Sequence, residues 1–348
     1  MPLEMPPRVH VPGRGKACIT NAQPGHNPRP RPVGRHTELR GQPALAAATS
    51  HGTHPTPPPP PLSFDAHVHC FNPSRHPFKA SRTYTPEAAP LSALVAASLA
   101  DRIMIVQASI EDGPANLIDN LRDARAQHPD KLFRGTVFAD PEPGRGLDAL
   151  SAGDFAMLHD LGVRSIRIHG SYGGNGANAS WVQEQFRRAA ALDGVATHGW
   201  SVSAQLPLAM WAAIGEFLQH DAALAGVAVV ADHNGSATPE DVGSAEFAAF
   251  LRLLEAQTVH VKVGALHRRS PEDIARMKAV VEGFAASGPG MMVWGSDWPH
   301  VDTTQGPEVV SPPLVVDTPA ELRAIRSWVS DEQWQRLLVE NPARLFDV

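Results

Sequence analysis

The chain has 348 residues, 43% of them hydrophobic, and a formal net charge of −6. That length and apolar content allow one large domain or two ordinary ones with a sizeable core, and the acidic balance gives no case for a whole-chain nucleic-acid binder. The two cysteines, Cys18 and Cys70, exclude a disulfide scaffold and fit a reducing compartment, no apolar run reaches the length of a membrane span, and no compact apolar stretch near the start marks a secretory signal.

The composition breaks near residue 62. Residues 1–62 are rich in Pro, Gly, His and Arg and end in the prolines of 57–61. Such a segment buries little apolar surface, so it is expected to be disordered or polyproline II. It carries seven basic residues against Glu4 and Glu38. An Arg-rich, acid-poor leader suits an organelle transit peptide, but the prolines oppose the amphipathic helix such peptides use. A disordered extension of a cytoplasmic protein, or a misplaced start codon, is the preferred reading. The basic residues lack the interleaved aromatics of a nucleic-acid platform, so binding of an anionic surface stays a weak idea.

From residue 63 to 348, short β-like runs alternate with helical stretches. Strands are expected at 64–68, 102–107, 133–138, 165–169, 201–205, 227–231, 259–263 and 291–294. Helices are expected at 91–100, 115–128, 147–161, 181–192, 206–220, 245–254 and 271–286. Thr318-Pro319 opens another with a cap-then-proline signal, and a last one follows Ser330-Asp331-Glu332 toward Leu338. Eight βα units in this length match a (β/α)8 TIM barrel. The runner-up, a doubly wound sheet, would carry a glycine-rich turn after its first strand. Here that strand ends in His67-Val68-His69.

In such barrels the chemistry sits at the C-terminal ends of the strands. The first strand offers His67 and His69 on one face, with Asp65. Later strands offer Gln107, then Arg167 and His169, then Gln205, then Asp232-His233, and past the seventh His267, Arg268 and Arg269. The eighth gives Asp297. Each alone has a bland explanation. A lone histidine is more often a hydrogen-bonded structural residue, an aspartate after a strand more often a cap, and Arg167 could merely pair with a carboxylate. The coincidence at nearly every strand end argues for one site built from both ends of the chain.

Asp-Ala-His-Val-His at 65–69, Ala231-Asp232-His233, Trp-Gly-Ser-Asp-Trp-Pro-His at 294–300 and Asn341-Pro342-Ala343-Arg344-Leu345-Phe346 carry a resemblance to the amidohydrolase superfamily. The branch most similar is the amidohydrolase-related (type 2) group that includes 2-pyrone-4,6-dicarboxylate lactonase. Tyr84-Thr85-Pro86, Val106-Gln107-Ala108-Ser109 and Gly162-Val163-Arg164-Ser165-Ile166-Arg167 support that branch. The resemblance spans roughly 62–348 and implies a metal-dependent-hydrolase-like barrel. It implies that His67, His69 and His233 face the substrate carbonyl or a metal, and that Asp297 is the general base on water. It implies that Arg167 and Arg268 hold a substrate carboxylate and that Tyr84 contacts the substrate; His169 and His300 are further candidates on the substrate side.

Metal-dependent members add a histidine at the fifth strand or a carboxylated lysine at the fourth. This chain has Gln205 and Arg167 there. His67, His69 and Asp297 remain as a candidate set for one divalent ion such as Zn²⁺, but no cofactor is strictly required, as in the pyrone lactonase. The second arginine of the lactonase pattern is replaced by Gly170-Ser171-Tyr172-Gly173-Gly174, His169 stands for an asparagine and His267 for a tyrosine. The expected activity is hydrolysis of a lactone or related ester of a small organic acid, with fewer carboxylates than the pyrone. The rivals are a metal-dependent decarboxylase, another amidohydrolase-type hydrolase, and a binding protein on a retired barrel. A small-molecule substrate is the only partner expected; oligomeric state is open.

Overall fold

The computed structural model describes residues 58–141, 144, 146–170 and 176–347. The expected tail up to residue 57 and the stretch 171–174 lie outside the described residues.

The apolar runs form eight parallel strands: β1 (Phe64–Val68), β2 (Arg102–Val106), β3 (Leu132–Phe138), β4 (Val163–His169), β5 (Ser201–Gln205), β6 (Val229–Ala231), β7 (Val259–Val263) and β8 (Met292–Trp294). Each pairs with the next in chain order, and helices return the chain between most of them. Parallel neighbours require such crossovers. The result is a nearly closed (β/α)8 barrel. Among the described residues, no helix is long and apolar enough to cross a membrane.

Alternation along the strands decides what faces where. In β7, Val259, Val261 and Val263 pack into the large apolar layer beneath the helices. Lys262, between two of these valines, is only 3% exposed and points the other way, to His67 and Asp232. In β4, Ile166 and Ile168 join the outer layer, while Arg167 between them reaches Asp232. The barrel thus hides these polar side chains behind an apolar shell.

Helix starts follow their caps. Ser151, Asn178, Ser244 and Ser330 each accept a first-turn backbone N–H. At Thr318-Pro319 the capping side chain is Asp317, one residue earlier than expected. The stretch expected as one helix at 206–220 is two, Leu208–Ala213 and Gly215–His220, broken where glycine weakens the helix. The expected helix at 147–161 is likewise a 3₁₀ turn, Gly146–Ala149, and then a helix, Ala152–Asp160, that opens at Ser151. The last helix continues past Leu338 through a π turn to Leu345.

Closure of a barrel pairs its first and last strands, but no ladder joins them among the described residues. They meet beyond the end of β8. Val68 bridges Trp298, the Asp297 N–H donates to the His67 carbonyl at 2.8 Å, and the His69 N–H donates to the Trp298 carbonyl at 2.8 Å. Asp65 adds a side-chain tie, accepting from the Ser296 N–H at 2.9 Å. Gly295 permits this approach, since a Cβ there would come within 2.8 Å of the His67 Cβ.

Asn341 pins the C-terminal helix to this seam. It is fully buried and donates to the carbonyls of Pro289 at 2.8 Å and Met292 at 2.7 Å. Asn341→Ala leaves both carbonyls without that donor and is expected to cost about 1–3 kcal/mol, read as a lower urea midpoint. An unchanged midpoint would show that packing alone holds the helix.

Candidate active site

Asp297 is the centre of the site. It follows β8 in the left-handed region, φ 65°, which turns its carboxylate across the barrel mouth. Its Oδ1 lies 3.7 Å from His67 Nε2, 3.6 Å from His69 Nε2 and 3.9 Å from His233 Nε2. His233 leaves the end of β6 with φ 50° and sets its ring 4.5 Å from that of His67. Arg268, in the turn Leu266–Arg268 after β7, donates through Nε to Asp297 Oδ2 and through a terminal nitrogen to the Val301 carbonyl at 3.1 Å. The four expected catalytic residues therefore converge.

Burial pushes the Asp297 carboxyl up, but Arg268 and the imidazoles outweigh it and hold it well below the usual carboxylate range. Burial lowers the imidazoles instead. His67 is pushed down to about 3, with Lys262 adding to the effect of burial, and His233 is pushed well down by burial. Asp297 is an anion facing the neutral rings of His67 and His233.

A second carboxylate lies deeper. Asp232 accepts from Arg167 Nε at 2.8 Å and sits 3.0 Å from Lys262 Nζ. Burial pushes Asp232 up, and the two cations bring it well below its ordinary range. Arg167 also donates to Gln205 Oε1 at 2.9 Å. The alternative that Arg167 pairs with a carboxylate is thus realised, and it still lines the cavity.

The cavity is bordered by His69, Tyr84, Arg167, His169, Arg268 and Asp297, among others. Burial, with Arg167 beside it, pushes His169 down to about 3. His300 does not line it. Its Nε2 meets Thr318 Oγ1 at 2.9 Å, its ring packs edge-on to His267, and it borders a separate apolar groove. That position follows from the chain turning away after Pro299.

Sequence reasoning passed over Lys262 and Glu321. Lys262 was hidden inside an apolar strand, although a lysine at such a position is itself a signal. Glu321 is 5% exposed and accepts from the backbone N–H groups of Leu266 and His267, at 3.0 and 2.9 Å, fixing the turn that carries Arg268.

His67, His69 and Asp297 could hold one metal ion, their ligand atoms lying within 4.8 Å of one another. His69 fits that task, because its Nδ1 meets the Val106 carbonyl at 2.7 Å and leaves Nε2 with the lone pair. The Nε2 of His67 makes no hydrogen bond. It fits only if its proton resides on Nδ1.

A family model described as amidohydrolase matches residues 64–348. Two 4-sulfomuconolactone hydrolases are similar in sequence. The protein from Rhizobium radiobacter is 26% identical over 295 residues, covering 82% of this chain and 90% of its own. The one from Hydrogenophaga intermedia is 24% identical over 302 residues, covering 82% and 89%. A crystal structure of a probable 2-pyrone-4,6-dicarboxylic acid hydrolase from Acinetobacter baumannii, with citric acid bound, shares the fold. Its TM-score is 0.63 at 20% identity, over 82% of this chain and all of the other.

Asp232→Asn is expected to leave Arg167 and Lys262 buried without a counter-charge and to cost about 3–5 kcal/mol in urea denaturation. A loss near zero would mean that one cation is neutral or leaves the interior.

Proposed function

The chain belongs to the amidohydrolase family, and on that premise we propose that it is a hydrolase that opens a lactone, or a related ester of a small organic acid, by water attack. The observation that carries this reading is the single carboxylate oxygen of Asp297 facing three imidazole Nε2 atoms at 3.6–3.9 Å. The similarity to 4-sulfomuconolactone hydrolases supports the lactone class.

In this reading Asp297 takes a proton from the attacking water as the carbonyl carbon becomes tetrahedral. Imidazole N–H groups from His67 and His233 stabilise the oxygen that gains charge. The proton then passes to the ring oxygen as the ester bond breaks, giving a hydroxy acid. Tyr84 and His169 border the substrate, and Arg268 holds its carboxylate. An arriving carboxylate competes with Asp297 for Arg268, which raises the basicity of Asp297 when substrate is in place. His67, His69 and Asp297 would be the ligands of a divalent ion, which when bound would supply a Lewis acid and a more acidic water. Their convergence favours that as the second reading.

A panel of lactones and esters, assayed with and without chelator, tests the proposal. Turnover of lactones that survives the chelator is expected. Activity lost to chelator and restored by Zn²⁺ would replace the protein-only route with the metal route, and no turnover of any lactone would sink the reading.

Asp297→Asn keeps the shape but removes the base, so kcat should fall by about 10²–10⁴. If Asp297 merely caps its loop, kcat will barely change.

Arg268→Met should raise KM for an acidic lactone by about ten- to hundredfold, the worth of one charged hydrogen bond. Because the cation holds the Asp297 carboxyl down, its removal should also move the acid limb of kcat/KM to higher pH. Arg167 is a poor probe, since its loss would leave Asp232 with Lys262 alone. A wild type equally active on neutral and acidic lactones would refute the carboxylate role.

A further inference from the structure

His67 and His69 aim Nε2 at the same oxygen of Asp297, at 3.7 and 3.6 Å, yet their far nitrogens meet opposite partners. The Nδ1 of His69 faces the Val106 carbonyl at 2.7 Å. A carbonyl only accepts, so the Nδ1 of His69 carries a hydrogen, and in the neutral ring that leaves the lone pair at Nε2. The Nδ1 of His67 faces Lys262 Nζ at 3.2 Å. An ammonium only donates, so this nitrogen accepts, and the one proton of the neutral ring sits on Nε2. The carboxylate that could reverse this, Asp232, is 3.6 Å from Nδ1 at its Oδ1, too long for a hydrogen bond. The same oxygen lies 3.0 Å from Lys262.

We propose that Lys262 is a positioning residue that fixes His67 as a hydrogen-bond donor toward Asp297 and thereby opposes tight binding of a divalent cation by His67, His69 and Asp297. A histidine ligand gives its Nε2 lone pair to the metal and its other N–H to an acceptor. His69 is wired that way. His67 is wired the opposite way, so the pair offers one donor and one acceptor to whatever lies against Asp297. Donation from His67 suits an oxygen that gains negative charge. Without Lys262, the Nδ1 of His67 could carry the proton and turn to Asp232, and His67 would become a ligand.

The inference rests on the reading of this cavity as the hydrolytic site, but its readouts use no substrate, so it fails or stands separately from the lactone assay. The full chain, labelled with ¹⁵N-histidine and assigned with His67→Gln, reports each ring's tautomer by long-range NMR correlations. The wild type should show His67 in the Nε2–H form and His69 in the Nδ1–H form. Zn²⁺ titrated into metal-stripped protein should bind Lys262→Met about tenfold or more tighter than wild type, the usual scale for a partner of a metal ligand. His67 should change to the Nδ1–H form in that variant. Lys262→Gln, which can still donate from its amide, should restore the wild-type tautomer and weak Zn²⁺ binding. A wild-type His67 already in the Nδ1–H form, or Zn²⁺ affinity unchanged or lower in Lys262→Met, would overturn the proposal. The first result needs no variant, so a Lys262 variant that fails to fold leaves the test intact.

Discussion

The site depends on how the two ends of the barrel meet. Since no ladder joins β1 to β8 among the described residues, the seam rests on a few backbone hydrogen bonds past the end of β8 and on Asp65. Each has a direct consequence for chemistry. The Asp297 N–H bond to the His67 carbonyl sets the carboxylate one strand spacing from the imidazole. The left-handed backbone at Asp297 costs an L-residue roughly 1–2 kcal/mol, and the bonds on either side of it offset that cost. Gly295 is required because the strands come too close for a side chain. The run Trp294-Gly295-Ser296-Asp297 is thus a closure device as well as the carrier of the proposed base.

Charge is arranged in two tiers. Carboxylates this deeply buried would pick up protons if left alone, because burial disfavours the charged form. Asp232 keeps its charge through Arg167 and Lys262, and Asp297 through Arg268. Burial holds His67, His169 and His233 neutral. They act as oriented donors and acceptors. A neutral ring has one proton and one lone pair, so the partner on its far side decides which faces the site. That places Lys262 and the Val106 carbonyl, neither open to solvent, in control of what the cavity presents.

Most of the strand set and the convergence of His67, His69, His233 and Asp297 were legible in the sequence. Both follow from short-range rules: period-two alternation and polar residues where strands end. What was not legible depends on pairing across the barrel. Lys262 sits between Val261 and Val263 and reads as strand body; only the register of β7 against β6 and β8 turns it inward. Arg167 was visible as a strand-end cation, but its partner Asp232 comes from two strands away. His300 was expected on the substrate side, and the turn at Pro299 sends it to Thr318 instead. Glu321 lies on a late helix with no local pattern to tie it to Arg268. Seam and helix breaks were missed for similar reasons, because one glycine or one bridge decides them.

The two arginines at the mouth differ in a way that bears on substrate charge. The side chain of Arg167 is 4% exposed and commits two nitrogens, one to Asp232 and one to Gln205. Releasing it would strip a buried carboxylate of a partner, which is costly. The side chain of Arg268 is 20% exposed, and its partner Asp297 has three imidazoles beside it. Arg268 also commits two nitrogens, but one of them only to the Val301 carbonyl, and polar groups surround the carboxylate it would leave. In the proposed reading anion recognition therefore falls mainly to Arg268, and one guanidinium suits one carboxylate rather than two. In that reading recognition is coupled to reactivity: Arg268 on Asp297 keeps the proposed base weak, and a neutral ester would have no means of drawing it away.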